Sequence, residues 1–139
     1  MIDIDYIMSL LDWNKSIDDQ TEGIKMAKQI ESINVFLQPC NKMHNKNVWD
    51  NCAKILSIRT DDELSPYLIS LMEWLQDMNW PGAFCILGRL QKYGDDISYD
   101  LAYNTCLKYA QALEDEVWER NLKALNVSRR QLETTEKEG

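Results

Sequence analysis

The sequence predicts an all-α domain of stacked antiparallel helix pairs, about seven or eight helices in all. Three observations lead there. Apolar residues recur at i, i+3, i+4 spacing in segment after segment. Glycine and proline are scarce, at 5 and 3 of 139 residues, too few for an all-β chain with frequent tight turns. The stretch EWLQDMNWPGA, from Glu73 to Ala83, ends one amphipathic helix, turns, and opens another. In it Trp74 and Trp80 flank the polar link Gln76-Asp77-Met78-Asn79, and Pro81 suits a first helical turn, where its missing N–H is not needed. Gly82 and Ala83 are small enough for two helices to approach closely. This corner has aromatic anchors and no group that does chemistry, so binding is the expected mode of action.

The elements follow in order. A first helix is expected over residues 4–13, with Ile7, Leu10 and Leu11 on one face. Ser16 with Asp18 and Asp19 starts a second, the carboxylates opposing the positive end of its dipole. Its stripe Ile24, Ala27, Ile30, Ile33 carries it to about residue 33. Residues 41–46 form a polar loop with the only histidine, His44. A third helix over residues 47–57 presents Val48, Cys52, Ile55 and Leu56. Thr60 and Glu63 form a capping box, and Ser65-Pro66 opens a helix striped by Leu68, Leu71, Met72 and Leu75. After the corner, residues 81–93 form a helix with Phe84, Leu87 and Leu90 facing inward and Gly94 as its C′ residue. Asp96-Ile97-Ser98 starts a further helix, flanked by Leu101, Thr105 and Leu107 or Lys108, that is expected to run through Tyr109 and Leu113 into Val117 and Trp118. Ser128-Arg129-Arg130-Gln131 reads as a capping box opening a short polar C-terminal helix. The whole chain, 1–139, forms one domain, with residues 130–139 a charged tail expected to fray.

A short internal repeat sharpens the architecture. Leu10-Leu11-Asp12-Trp13 matches Leu71-Met72-Glu73-Trp74, each followed by a polar link and a helix. The helix of residues 47–56 paired with that of residues 66–77 makes a unit of about 30 residues, the size of a HEAT-type repeat, which predicts a right-handed α-solenoid.

Residues 45–90, NKNVWDNCAKIL…SPYLISLMEWLQDMNWPGAFCILGRL, resemble a bacterial family of small helical domains of unknown function. Its pattern is roughly NVW-NCA-IL, a short acidic linker, and PYL—LLEWLQD-NWPGA. The resemblance covers about residues 12–93 and leaves the C-terminal third unmatched. It implies a HEAT-like fold and a likeness to the immunity partners of secreted bacterial toxins, including those of contact-dependent growth inhibition. No catalytic residue comes with it.

The residues themselves point away from catalysis. There is one histidine, and there is no HExxH, GxSxG, P-loop or dinucleotide-binding glycine turn. The pairs Asp18/Asp19, Asp61/Asp62, Asp95/Asp96 and Asp115/Glu116 fall at helix starts or on polar faces, where capping and solvation account for them. No enzyme activity, cofactor, metal or small-molecule substrate is expected. Cys40, Cys52, Cys85 and Cys106 are irregularly spaced without a CxxC pair. The last three lie in apolar helical stretches and read as buried thiols. A Cys40–His44 metal pair lacks a third and fourth ligand.

Net charge is −8, which disfavours nucleic acid and anionic membranes and suits a basic protein partner. No apolar run is long enough to span a bilayer, and the acidic N-terminus lacks a signal peptide's basic region, so a cytoplasmic location is expected. The expected partner is a cognate toxin with a basic nuclease domain, whose cleft an acidic surface covers. A general HEAT-like scaffold or adaptor is the alternative, and the acidity also serves solubility. Candidate partner-binding residues are aromatic anchors with acidic neighbours: Asp12, Trp13, Asp18, Asp19, Trp49, Asp50, Glu73, Asp77 and Trp80. Core packing and helix-start charge are the competing roles for them, and Trp74 and Trp80 in particular suit the corner.

Overall fold

A computed structural model describes residues 3–39 and 44–138, and of residues 132–138 the backbone alone. Among the described residues every regular element is helical. The α-helices are α1 Ile4–Leu10, α2 Ile17–Ala27, α3 Trp49–Ser57, α4 Asp61–Leu64, α5 Leu68–Glu73, α6 Ala83–Gln91, α7 Asp96–Ala112 and α8 Glu116–Glu138. Single 3-10 turns at Ile33–Phe36, Lys46–Val48, Ser65–Tyr67 and Trp74–Gln76 join or extend them. The expected caps form: Ser16 Oγ accepts from Asp19 N–H, and Thr60 and Glu63 exchange side-chain and backbone bonds at 3.2 Å each. The stripe Leu68, Leu71, Met72, Leu75 is buried throughout.

Helices close in space are often not consecutive in the chain. α3 packs on α6, α5 on α7, and α8 on both α6 and α7, while α1 and α2 pair with each other and α2 lies on α3. The principal partner of α3 is thus α6 rather than the helix of residues 66–77. The matched tetrapeptides also part company, since Trp74 is fully buried while Trp13 is 45% exposed.

The corner is tighter than a helix start. Ala83 N–H bonds the Trp80 carbonyl at 3.1 Å, and Gly82 has φ +85°. Pro81 and Gly82 are therefore the central residues of a type II turn, not the first residues of α6. A Cβ at Gly82 would lie 2.6 Å from Ala53 Cβ and 2.9 Å from the Trp49 carbonyl oxygen. This contact sets the phase of α6: Ala83, Ile86 and Leu90 are buried, and Phe84, expected inside, is 71% exposed. Gly94 is no left-handed cap either; α6 ends at Gln91, and Gly94 N–H donates to Asp61 Oδ2 at 3.0 Å.

Three other expected boundaries move, each because of a distant or unlooked-for partner. α2 stops at Ala27, and the carbonyls of Ala27 and Ile30 accept from Arg59 Nη2 at 2.9 and 2.7 Å. Ile30 and Ile33 are still buried, carried inward by a turn rather than a helix. α7 does not run into Trp118. Glu114 takes φ +54°, Asp115 N–H reaches the Ala110 carbonyl and Glu114 N–H that of Gln111, which is a Schellman stop. Asp115 Oδ1 then accepts from Trp118 N–H and opens α8. Ser128 caps nothing, because α8 is continuous through it and its hydroxyl bonds the Leu125 carbonyl. Arg129, expected on a polar helix, is 5% exposed; it donates to the carbonyls of Leu90 and Tyr93 and to Asp96, and lies 3.7 Å over the Tyr99 ring.

The two left-handed residues predict opposite outcomes. Gly82→Ala should lose at least about 1–3 kcal/mol, from strain and from the collision with Ala53. Glu114→Gly should gain up to about 1 kcal/mol, because glycine adopts that conformation without a Cβ penalty. Urea unfolding of both variants checks the pair, and equal signs would refute the account.

Candidate partner-binding site

The loop after α1 is built by local polar bonds. Asp12 Oδ1 accepts from Asn14 N–H at 2.8 Å, and the Asp12 carbonyl accepts from Lys15 N–H at 2.9 Å. Gln20, in the first half of α2, donates to the carbonyls of Trp13 and Lys15. Asn51 of α3, itself buried, donates to the Leu11 carbonyl at 2.7 Å and to Gln20 Oε1 at 2.9 Å. The Trp13 N–H donates to the Asn47 carbonyl at 3.0 Å, so the loop lies against the turn that carries Lys46. The backbone is held at both ends while the Trp13 ring stays outside. Asp18 and Asp19 are exposed in the first turn of α2, and their carboxylates make no ion pair among the described residues.

Beyond that turn lies an indole cluster. Trp49 meets Trp74 and Trp80 edge-to-face, with centroids 6.1 and 5.4 Å apart. Trp74 Nε1 donates to the Pro81 carbonyl at 2.9 Å, whereas the Trp49 indole N–H finds no acceptor among the described residues. Lys46 Nζ stands 5.8 Å from the Trp49 ring and 6.0 Å from the Trp80 ring, within cation–π range. Trp49 is buried and Trp80 half-buried. Asp77, also half-buried, shapes the corner by accepting from Asn79 N–H on its side chain and from Trp80 N–H on its carbonyl. Asp50 is half-buried in the first turn of α3.

Bonds through Asn47, Asn51 and Gln20 thus join the backbone of Leu11, Trp13 and Lys15 to α3 and to the turn that carries Lys46, whereas the Asp18 and Asp19 side chains have no bond to that cluster among the described residues. Glu73 stands apart. It ends α5, which packs on α7, and its charge adds to the burial that pushes the Cys106 thiol up to about 12. Burial likewise raises the Glu73 carboxyl above its ordinary value. Lys46 was not visible as part of this cluster in the sequence; the nearness of a lysine to a tryptophan three residues on was the only signal.

Cys52 and Cys106 are buried as expected, with burial raising the Cys52 thiol, while Cys85 is half-buried with its Sγ 3.1 Å from Ser57 Oγ. Cys40 lies outside the described residues, so the Cys40–His44 pair does too. Among the described residues no three His, Cys, Asp or Glu side chains are placed to hold a metal ion, and no helix is long and apolar enough to cross a membrane.

Comparison with known proteins places residues 37–137 in a domain of unknown function, DUF5071. The chain belongs to this family. The match begins later than the sequence pattern indicated and runs further: it takes in α7 and α8, which the pattern left out, and does not include α1 and α2. Within DUF5071 fall Trp49, Asp50, Glu73, Asp77 and Trp80, whereas Asp12, Trp13, Asp18 and Asp19 precede it. No curated protein and no solved structure matches the chain.

Two measurements test these assignments. Trp74→Ala should lose about 3–5 kcal/mol, as large core truncations do, whereas Trp13→Ala should stay within about 0.5 kcal/mol of wild type; comparable losses would show that Trp13 packs rather than presents itself. The raised Glu73 carboxyl means that the folded state binds this proton more tightly than the unfolded chain. Stability at this group is complete below the ordinary glutamate value and declines as pH rises through the raised one. Glu73→Gln should thus be more stable than wild type at about pH 7 and level with it at about pH 4 or below. Urea midpoints at both pH values check this, and because only the difference between the two proteins is read, other carboxylates cancel.

Proposed function

We propose that this chain is an immunity protein that binds and neutralises a cognate bacterial toxin domain, a basic nuclease, by covering its cleft with an acidic surface. The observation that carries the reading is the Trp13 loop: a large ring held out at 45% exposure on a backbone fastened at both ends, with the carboxylates of Asp18 and Asp19 beside it in sequence. An exposed aromatic on a pre-organised loop is the type of anchor that dominates protein interfaces, since little entropy remains to be lost on docking. The net charge of −8 would speed encounter with a basic partner. The likeness of the NVW…NWPGA stretch to domains resembling toxin immunity partners supports the same reading.

The scaffold suits the role. Packing of α3 on α6 and α6 on α8 in one row, with α5 on α7 in another, supports a short solenoid of HEAT type. α1 and α2 precede the family domain and add the Trp13 loop to it.

The test is co-expression with the open reading frame immediately upstream of this one, read by growth and by affinity capture. The wild-type chain should rescue growth and co-purify with the toxin. Trp13→Ala combined with Asp18→Lys and Asp19→Lys should weaken binding at least about tenfold while the melting temperature stays close to wild type. Rescue undiminished by the triple variant would overturn the assignment of this face. Absence of both capture and rescue would favour an adaptor with another partner.

A further inference from the structure

The first half of α7 and the middle of α8 enclose a polar cleft with a volume of about 480 Å³. Tyr99, Asp100 and Tyr103 of α7 line it from one side, and Asn126, Arg129 and Arg130 of α8 from the other. The volume falls within the range of sites that hold small molecules, about 300–1,000 Å³. Both helices belong to the DUF5071 domain, and the cleft shares no residue with the Trp13 loop.

The floor is built around a hydroxyl without a partner. Tyr99 is 1% exposed, and its O–H is buried with no hydrogen-bond partner among the described residues. Its ring is held in place by the Arg129 guanidinium, 3.7 Å from the centroid, and by Tyr103, whose ring lies nearly parallel at 5.9 Å. Burial pushes the Tyr99 hydroxyl above its ordinary value, and the charges that act on it are those of Arg129, Asp100 and Arg130, all of the cleft. The hydroxyl therefore lies beneath the cleft and not in the apolar core. A buried donor left unpaired is uncommon in a folded protein and costs free energy. It has already lost its water in the free chain, so an acceptor that reaches it gains the bond without stripping it further.

The rest of the lining carries both signs of charge. Arg129 spends three of its five N–H groups on the Leu90 and Tyr93 carbonyls and on Asp96, and Arg130 adds a second guanidinium. Asp100 is exposed and makes no ion pair or hydrogen bond among the described residues. The side-chain amides of Asn104 and Asn126 also face the cleft without a hydrogen bond among the described residues. A bare anion would answer the Tyr99 O–H and the arginines but meet Asp100 and a chain of net charge −8. A bare cation would leave those donors unanswered. A molecule that carries a carboxylate and an ammonium together suits both ends of the cleft and is not repelled by the net charge.

We infer that this cleft binds a small zwitterion of the amino-acid type, its carboxylate taken by the Tyr99 hydroxyl and the Arg129–Arg130 side, its ammonium by Asp100, with the Asn104 and Asn126 amides between. The inference does not rest on the immunity reading and stands or falls apart from it.

The probes are glycine, glycylglycine and triglycine, which set the two charges at increasing separations, with acetate and methylammonium as single-charge controls. Each is titrated into the full chain and followed by calorimetry and by amide NMR shifts. At least one of the three zwitterions should bind saturably with a Kd of about 1 mM or below, and neither control should exceed about a tenth of that affinity. Shift changes should centre on Tyr99, Asp100, Asn104 and Asn126. Tyr99→Phe removes only the unpaired hydroxyl, so the melting temperature should hold or rise while binding weakens about tenfold or more. Asp100→Asn, at an exposed position, should weaken binding to a similar degree with the fold intact. No saturable binding of any zwitterion by about 10 mM, shifts centred elsewhere, acetate binding as tightly as the best zwitterion, or affinity indifferent to Tyr99→Phe would overturn the site. A lowered melting temperature of Tyr99→Phe would overturn it too, since it would show a hydroxyl already bonded in the free chain.

Discussion

The packing of this chain turns on the approach of the corner backbone to α3. At Gly82 the main chain comes so near Ala53 and the Trp49 carbonyl that no side chain fits between them. Trp74 closes the same spot from behind, fully buried, its indole N–H fixed on the Pro81 carbonyl. That contact sets the face that α6 turns to α3, and α8 packs on α6 in its turn. The same contact positions Trp49 and Trp80, and through Trp49 the turn on which Lys46 stands. A small residue here matters less for its own burial than for the distance it permits between two helices.

Short helices leave many backbone carbonyls without intrahelical partners, and the chain meets this with long side chains reaching across from distant segments. Arg59 serves the carbonyls at and beyond the end of α2, Arg129 those at the end of α6, Trp118 Nε1 the Met72 carbonyl and Asn121 the Leu75 carbonyl. Each spans about 30 or more residues of sequence, and each replaces water at a helix end that packing would otherwise leave unsatisfied. The same bonds bind α1 and α2, which precede the family domain, to that domain: Arg59 and Asn51 both lie within DUF5071 and both bond backbone outside it.

Acidic residues divide accordingly. Asp61, Asp96 and Asp115 hold the fold, by pairing with arginine or capping a helix. At Asp61, burial works against ionisation, yet the Arg89 side chain and the Gly94 N–H more than offset it and hold the carboxyl below its ordinary value. Asp18, Asp19, Asp62 and Asp100 have no such duty. None of these four carboxylates is in an ion pair among the described residues, and Asp18 and Asp19 directly follow the exposed Ile17 in sequence.

What depends on neighbours in sequence was legible from it: the all-helical class, the capping box at Thr60 and Glu63, the Ser16 cap and the stripe from Leu68 to Leu75 all follow from periodicity and from hydrogen bonds spanning three or four residues. Trp13 could be named as an aromatic beside acids, but not as the exposed one of two like tetrapeptides, because burial depends on what packs against a ring. The inward turn of Arg129, the outward turn of Phe84 and Leu101, the early end of α2 and the break at Glu114 were decided by tertiary structure. An arginine reads as surface until three acceptors from other segments surround it, and an apolar residue reads as core until a close contact elsewhere rotates its helix. Local composition limits which conformations are possible; the distances between helices select among them.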